Sequence, residues 1–160
     1  MLCIGIFDGV HRGHQHLIQY LKELGGKSVL LTFSNHPSEI LGRSAPKSII
    51  PQEEKIAILR KLVDEVLVIP FTLQLAELTY EQFLEPYPIR HLVLGEGAAL
   101  GRGRQGTPER LRELGKKRNF EVHVVPHLCD AGAPISSTRI RALLASGEKD
   151  EAERLLGRKL

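Results

Sequence analysis

Short apolar runs alternate with amphipathic segments along the whole chain. Each run has the length of a buried strand, and each amphipathic segment repeats its apolar residues at helical spacing. The predicted strands are Leu2–Phe7, Ser28–Phe33, Glu65–Ile69, His91–Gly95 and Phe120–Val125. Because strands that alternate with helices are joined by right-handed crossovers, this order predicts an α/β fold with a doubly wound, parallel, five-stranded sheet.

Capping and stop residues mark the predicted helices. The first helix carries apolar residues from Leu17 to Leu24 on one side and ends at Gly25-Gly26. Further helices are predicted from Pro51 to about Val63, from the Thr79/Gln82 capping box, from the Thr107 cap to about Arg118, from Ser136 or Ser137 to Gly147, and from Lys149 to Leu156. Residues 38–50 lack a clear period and are interpreted as a loop or flap.

The size and charge of the chain limit its class. Its 160 residues suggest one domain. A net charge of +3 and a pI near 9.0 suit an anionic small molecule but are too weak to indicate nucleic acid. The sequence has neither a signal-peptide pattern nor a long apolar span, so we expect a cytoplasmic protein. Cys3 and Cys129 lie beside apolar residues and are predicted to be reduced and buried in the core.

An H-x-G-H motif follows the first predicted strand directly. His11 and His14 lie on one side of the predicted helix start, where free amides and the positive dipole end attract phosphate. Gly13 leaves no side chain between them, so a phosphate can approach the backbone. Two solvated histidines or a zinc site are the alternatives, although no third zinc ligand lies near in sequence. The position after a first strand favours phosphate.

A second anion site is predicted after the last strand. Ser136 or Ser137 caps a helix there, and Arg141 lies one turn further on, with a guanidinium suited to phosphate oxygens. In a parallel sheet, both helix starts belong at the carboxyl ends of the strands. Two such sites suit a triphosphate better than a single phosphate.

Two polar loops have weaker signals. Asn35, His36 and Pro37 form a turn at the carboxyl end of the second strand, which is either part of a ligand site or an ordinary turn. Residues 96–106 are rich in Gly and Arg and are either a phosphate-facing loop or a solvated one. The basic residues of the following helix are interpreted as an exposed face.

At this point the motifs resemble a known family. The segments Phe7 to Gln15 (FDGVHRGHQ), Thr32 to Pro37, Pro70 to Thr72, Gly101 to Arg104 and Ile135 to Arg141 (ISSTRIR) resemble bacterial FAD synthetase, within the nucleotidyltransferase superfamily. The resemblance covers nearly the whole chain and implies a Rossmann-like HxGH nucleotidyltransferase fold. It also implies that the chain transfers AMP from ATP to FMN, giving FAD and pyrophosphate, with Mg²⁺.

The resemblance also implies roles for individual residues. Those implied as catalytic are His11, His14 and Arg141; as ATP-binding, Phe7, Asp8, Gly9, Gly13, Ser136, Ser137 and Thr138; and as substrate-binding on the flavin side, Asn35, His36 and Pro37. It identifies no metal ligands. The family's riboflavin kinase module would begin near Leu155–Arg158, so we expect that module to be absent and a separate riboflavin kinase to supply FMN.

The sequence departs from the family's pattern at one residue of the first predicted strand and in the loop after the fourth. Ile6 stands where the family usually has Asn, and Gly95–Gly101 lacks the polar residue and the two aromatic residues usual there. The segment around Pro86–Pro88 also looks shortened. Two alternatives follow: another nucleotidyltransferase of the superfamily, or a non-catalytic module that binds flavin or nucleotide.

Overall fold

Five parallel strands form the centre of the computed structural model, which describes residues 1–160. They are β1 (Leu2–Ile4), β2 (Val29–Phe33), β3 (Glu65–Ile69), β4 (His91–Gly95) and β5 (Glu121–Val125). Their order across the sheet is β3-β2-β1-β4-β5, and every neighbouring pair is parallel. The expected five-stranded, doubly wound sheet is confirmed. The chain crosses from one half of the sheet to the other beside β1, where such folds open a crevice for ligands.

Eight helices surround this sheet. They are α1 (Arg12–Glu23), α2 (Pro37–Ile40), α3 (Gln52–Leu62), α4 (Leu73–Glu77), α5 (Tyr80–Leu84), α6 (Pro108–Arg118), α7 (Ser137–Ala145) and α8 (Lys149–Leu156). The predicted caps are present: the hydroxyls of Thr79, Thr107 and Ser136 each accept a backbone N–H of the first turn. None of the helices is long and apolar enough to cross a membrane.

Alternate residues of the strands face two separate layers of helices. On one face, Cys3 and Leu30 pack with Leu21 of α1 and Leu59 of α3. On the other face, Leu2, Ile4, Leu31 and Leu92 pack with Phe83 of α5 and Leu111 of α6. A third cluster holds α7 against α8 through Ile140, Ala152, Leu155 and Leu156. Burial on both faces explains why the central strands read as continuous apolar runs.

Some segments differ from their predictions. β1 ends at Ile4, three residues before Phe7, whose left-handed conformation (φ 55°) a strand cannot contain. Pro37–Ile40 is a short helix inside the predicted turn and loop, and α4 was not predicted. Residues 129–134 form two short antiparallel strands, β6 (Cys129–Asp130) and β7 (Ala133–Pro134).

The prediction that both cysteines are core residues was wrong for Cys129. Cys3 lies in the centre of the sheet, where burial raises the pKa of its thiol to about 12. Cys129 is exposed on β6, and its thiol contacts only the carbonyl of His127 within hydrogen-bonding range. The apolar residues near it in sequence pack elsewhere, because a two-residue strand at the surface does not bury both of its faces.

Candidate active site

The turn between β1 and α1 holds the H-x-G-H motif in a strained backbone. Phe7, Gly9 and Val10 all have positive φ angles, of 55°, 79° and 40°. Glycine adopts such angles easily, whereas a β-branched residue such as Val10 does so rarely. The turn reverses the chain within a few residues and places His11 as the cap of α1. Nδ1 of His11 there accepts the backbone N–H of His14 at 3.3 Å.

The two imidazoles of the motif stack on each other. Their ring centroids are 3.6 Å apart with an interplanar angle of 18°, and Phe7 packs its edge against His14. A Cβ atom on Gly13 would lie 3.1 Å from the ring of His11 and 3.0 Å from the carbonyl oxygen of Ile135. Gly13 therefore allows the turn, the stacked rings and the segment before α7 to come together.

Burial keeps both histidines neutral near neutral pH. It lowers the pKa of His11 to about 4, against the opposing effect of the Asp8 carboxylate. Burial, followed by the proximity of His11 and Lys55, holds the pKa of His14 well below its usual value. Since Nδ1 of His11 accepts a hydrogen bond, its proton sits on Nε2, which is free to donate. Nδ1 of His14 is buried and has no hydrogen-bond partner.

The start of α7 meets this turn at Asp8. The hydroxyl of Ser137 donates to the carbonyl of Asp8 at 2.9 Å. The guanidinium of Arg141 contacts the Asp8 carboxylate at 2.8 Å and donates through Nε to the carbonyl of Lys47 at 2.9 Å. Asp8 also accepts the backbone N–H of Ile49. The two predicted anion sites, which are about 130 residues apart in sequence, therefore converge on one residue.

A cavity of about 360 Å³ opens between the two helix starts; we call it the small cavity. Phe7, His11, Gly13 and His14 line one wall, and Ser136 and Ser137 line another. Segments after β4 and β5 complete it, Gly95–Ala98 and Val125–Leu128. Ser136 caps the amide of Arg139, whereas the amides of Ser137 and Thr138 have no acceptor within their own helix, so the cavity combines imidazoles with free N–H donors.

Four of the ten residues predicted as catalytic or ATP-binding do not line the small cavity. Asp8 is buried beneath it, and Gly9 shapes the turn. Arg141 is committed to Asp8 and Lys47, and Thr138 is exposed on the first turn of α7. The ligand contacts expected of these four residues stay predictions.

A second cavity, of about 670 Å³, adjoins the first; we call it the large cavity. The two share Ile4, Gly5 and Ala98 as a common wall. The predicted residues His36 and Pro37 line it. So do residues that were not predicted as site residues, of which Phe33, Phe71 and Leu100 lie in segments that the comparison with the family's motifs includes; the set is Phe33, Leu41, Phe71, Leu75, Phe83 and Leu100. Arg43 and Arg104 bring positive charge to its lining.

Asn35 acts on the large cavity through a neighbour. Its side-chain amide donates to the carbonyl of Phe71 at 3.0 Å, and its oxygen accepts the N–H of Phe71 at 2.8 Å. Asn35 itself does not line either cavity. The pair of hydrogen bonds fixes the backbone of Phe71, whose ring packs edge-on against Phe33 at 5.4 Å. Asn35 therefore positions an aromatic wall of the large cavity.

Lys55 is a buried cation beside the carboxyl ends of β1 and β2. Its ammonium donates to the carbonyls of Ile6 and Phe33, both at 3.1 Å, and lies 3.4 Å from the hydroxyl of Thr32. Burial lowers the pKa of Lys55, and the Asp8 carboxylate partly opposes that shift. Lys55 was not predicted as a site residue from the sequence. Its position in the apolar stripe of α3, one turn before Leu59, could have indicated that it is buried.

The segment after α8 clamps the strained turn. Arg158 donates to the carbonyl of Gly9 at 2.7 Å and to that of Val10 at 3.4 Å. The amide of Gln15 donates to the carbonyls of Val10 and Leu156, at 3.0 and 3.1 Å. These bonds satisfy carbonyls that the reversed chain leaves unpaired, so the far end of the chain stabilises the H-x-G-H turn.

Comparisons with known proteins agree with this geometry. Residues 1–139 match the FAD synthetase family. The bifunctional riboflavin kinase/FMN adenylyltransferase of Listeria monocytogenes is 36% identical over 168 residues, covering 98% of this chain and 53% of that protein. The Escherichia coli protein of the same name is 34% identical and covers 98% of this chain and 54% of that protein. The chain thus spans about half the length of the curated relatives that it matches.

A solved structure agrees over nearly the full chain as well. The crystal structure of a Streptococcus pneumoniae protein named a macrolide-efflux protein matches with a TM-score of 0.86 at 29% identity, covering 98% of this chain and 55% of that one. The match thus extends from the H-x-G-H turn through α8. With both end motifs meeting at Asp8 inside the matched region, the chain belongs to the FAD synthetase family.

Proposed function

We propose that this protein is an FMN adenylyltransferase, which transfers AMP from ATP to FMN and releases FAD and pyrophosphate. The observation that carries the proposal is the pair of adjoining cavities at the carboxyl ends of the strands. One is lined by imidazoles and a helix N-terminus, and the other is mostly apolar. A reaction that joins a nucleotide to a flavin phosphate needs two such cavities with a shared wall.

ATP occupies the small cavity in this proposal. Nε2–H of His11, the ring of His14 and the first amides of α7 are donors suited to phosphate oxygens. Arg141 lies beside this group and reaches the triphosphate tail by exchanging a contact with Asp8 or Lys47 for phosphate oxygens. The unpartnered Nδ1 of His14 gives the site a buried polar atom that a ligand or its water can satisfy.

FMN occupies the large cavity. Of the 19 residues that line it, 11 are hydrophobic, which suits a flat, largely apolar ring system. Phe71 and Phe33 offer aromatic surface, and His36 lies at the end of the cavity that holds the start of α2. The two cavities meet at Gly5, which carries no side chain and lies against the ring of Phe7, so the flavin phosphate enters the small cavity beside that ring.

The chemistry needs positioning rather than a general base. The phosphate of FMN is largely dianionic at neutral pH, so it attacks the α-phosphorus of ATP without losing a proton. A new P–O bond forms there, and the bond from that phosphorus to the bridging oxygen breaks, so that pyrophosphate leaves with the electron pair. His11, His14 and the amides of α7 hold the two repelling phosphates in line and stabilise the charge that builds up.

The residues of the site fit Mg²⁺ carried on the triphosphate. Mg²⁺ commonly binds through substrate phosphates and water rather than in an all-protein cage. The one acidic residue that lines the small cavity, Glu96, accepts the backbone N–H of His127, and both oxygens of Asp8 are engaged. When bound, the metal would neutralise charge on the phosphates.

We propose residues 1–160 as one nucleotidyltransferase domain. Its two end motifs complete a single site, and α8 supports the turn that starts it. The reaction consumes FMN, so it depends on a riboflavin kinase activity, which the curated relatives include in their names.

The deciding experiment is incubation with FMN, ATP and Mg²⁺, followed by chromatographic separation of the flavins. We expect FAD and an equal amount of pyrophosphate. The same assay with nicotinate mononucleotide, phosphopantetheine or CTP-dependent acceptors tests whether the protein is another nucleotidyltransferase of the superfamily. Product from one of these acceptors, with none from FMN, would overturn the flavin assignment. Calorimetric binding of FMN and ATP with no FAD formed would show a non-catalytic module instead.

A further inference from the structure

Three potential metal ligands meet at the amino ends of β4 and β5, at the opposite end of the strands from both cavities. His91 begins β4 and is the register partner of Glu121, which begins β5. His123 follows Glu121 by two residues, so its side chain lies on the same face of the sheet. The proposed reaction uses none of the three.

The ligand atoms face one another at distances that suit a single ion. Nδ1 of His91 lies 3.1 Å from Nε2 of His123. The Glu121 carboxylate oxygen lies 3.7 Å from the first nitrogen and 3.6 Å from the second. Ligands at tetrahedral zinc, with bonds near 2.1 Å, are about 3.4 Å apart. The observed triangle matches that spacing with only small adjustments.

A fourth residue orients the central histidine. The hydroxyl of Tyr20, on α1, lies 3.1 Å from Nδ1 of His123. Metal-binding histidines commonly donate their second ring N–H to such a partner, which leaves the other nitrogen free as a ligand. The Tyr20 hydroxyl can accept the Nδ1–H of His123 in this way, and Nε2 then turns its lone pair toward His91 and Glu121.

We propose that His91, Glu121 and His123 form a binding site for Zn²⁺. Two imidazoles select a borderline transition metal over Mg²⁺ or Ca²⁺, which prefer all-oxygen ligands. Two histidines and one carboxylate leave a fourth tetrahedral position for water. Glu121 is 73% exposed, so that position opens to solvent. The bound ion joins the edge strand β5 to β4 and stabilises the folded state.

Zinc titration of the whole chain against a chromogenic chelator tests the proposal, with Co²⁺ absorption as a report of tetrahedral geometry. The loss of a residue that orients a metal ligand typically weakens binding by about 10–100-fold, and we expect Tyr20→Phe to weaken zinc binding by about 10-fold. His91→Ala and His123→Ala each remove a ligand itself, so they should weaken binding by more than that range. Glu121→Gln changes an exposed residue outside the core and should also weaken binding. Zinc should raise the melting temperature of the unaltered protein and not that of His123→Ala.

Two control variants separate this site from other histidines. His16→Ala removes an exposed histidine of α1, and His14→Ala removes a histidine of the small cavity; both should keep one tightly bound zinc ion. Equal binding by Glu121→Gln and by the unaltered protein, or loss of the zinc in His14→Ala, would overturn the proposal. So would an unaltered protein that takes up no zinc at micromolar concentrations.

Discussion

The small and large cavities share Ile4, Gly5 and Ala98 but are built in different ways. The small cavity is made from two helix starts and their caps, so its chemistry comes from backbone donors and imidazoles. The large cavity is made from side chains of separate segments, among them Phe33, Phe71 and Phe83. The difference teaches that one cavity selects for charge and the other for shape, although the two share a wall of only three residues.

His14→Ala tests the charge-selecting cavity and has the largest expected effect. Loss of a donor to the charge that builds at the α-phosphate should lower kcat by about 10²–10³. His16→Ala, which alters an exposed residue of the same helix, should leave the rate of FAD formation unchanged. Steady-state kinetics of both variants measures kcat, and circular dichroism shows whether each variant is folded. Normal turnover by folded His14→Ala would remove His14 from the mechanism.

Arg141→Ala tests whether the second anion site belongs to the small cavity. A charge-assisted hydrogen bond contributes about 1.5–3 kcal/mol, so KM for ATP should rise by about 10–150-fold while KM for FMN stays near its original value. Arg139→Ala is the matched control, since that arginine faces Asp130 and Ala133 instead. An equal rise in both KM values would mean that Arg141 acts on the fold of the turn rather than on the nucleotide.

Phe71→Ala tests the large cavity, and here the change should affect FMN rather than ATP. Loss of an aromatic wall against the flavin ring should raise KM for FMN by about 10-fold, in line with the free energy of stacking on an aromatic side chain. KM for ATP should not change. Leu73→Ala, at a leucine that is 63% exposed on α4, provides the control. A selective effect of Phe71→Ala on ATP would reverse the assignment of the two cavities.

The burial of His11 predicts a smaller effect, on stability. Its folded-state pKa of about 4 lies below the unfolded value of 6.5, so the unfolded chain takes up the proton first as the pH falls. The contribution of His11 to the free energy of unfolding is therefore complete above pH 6.5. It decreases toward pH 4 by about 1 kcal/mol per pH unit. His11→Asn removes the titrating group and keeps an acceptor for the His14 N–H.

Urea unfolding of His11→Asn and of the unaltered protein, at several pH values in that window, measures the difference. The free energy of unfolding of the variant should depend less on pH. Parallel curves for the two proteins would show that His11 is not buried as a neutral imidazole and that water reaches it in the small cavity.

The contrast between the cavities also explains what the sequence could predict. His11, Gly13, His14 and Ser136 are local signals, because a helix start and its cap lie within a few residues of each other. The strands were found within a few residues for the same reason. β1 was overestimated by three residues, the last of which, Phe7, turns left-handed. The arrival of both motifs at one crevice followed from the parallel order of the strands.

Apart from His36 and Pro37, the lining of the large cavity and its supports could not be found in this way. Phe71 lines it because Asn35 holds its backbone, a contact 36 residues apart in sequence. Lys55 and Arg158 satisfy carbonyls of turns that are distant from them along the chain. The cluster of His91 with His123 depends on strand register. Such pairings follow from the packed structure, and no spacing within the sequence indicates them.

A crystal structure of the chain with FAD bound tests the central claim most directly, since the product should span both cavities. We predict that the isoalloxazine ring lies against Phe71 in the large cavity. The diphosphate should pass over Gly5 to His11 and His14, with the adenosine in the small cavity. An isoalloxazine ring in the small cavity, or a diphosphate remote from both histidines, would contradict the account.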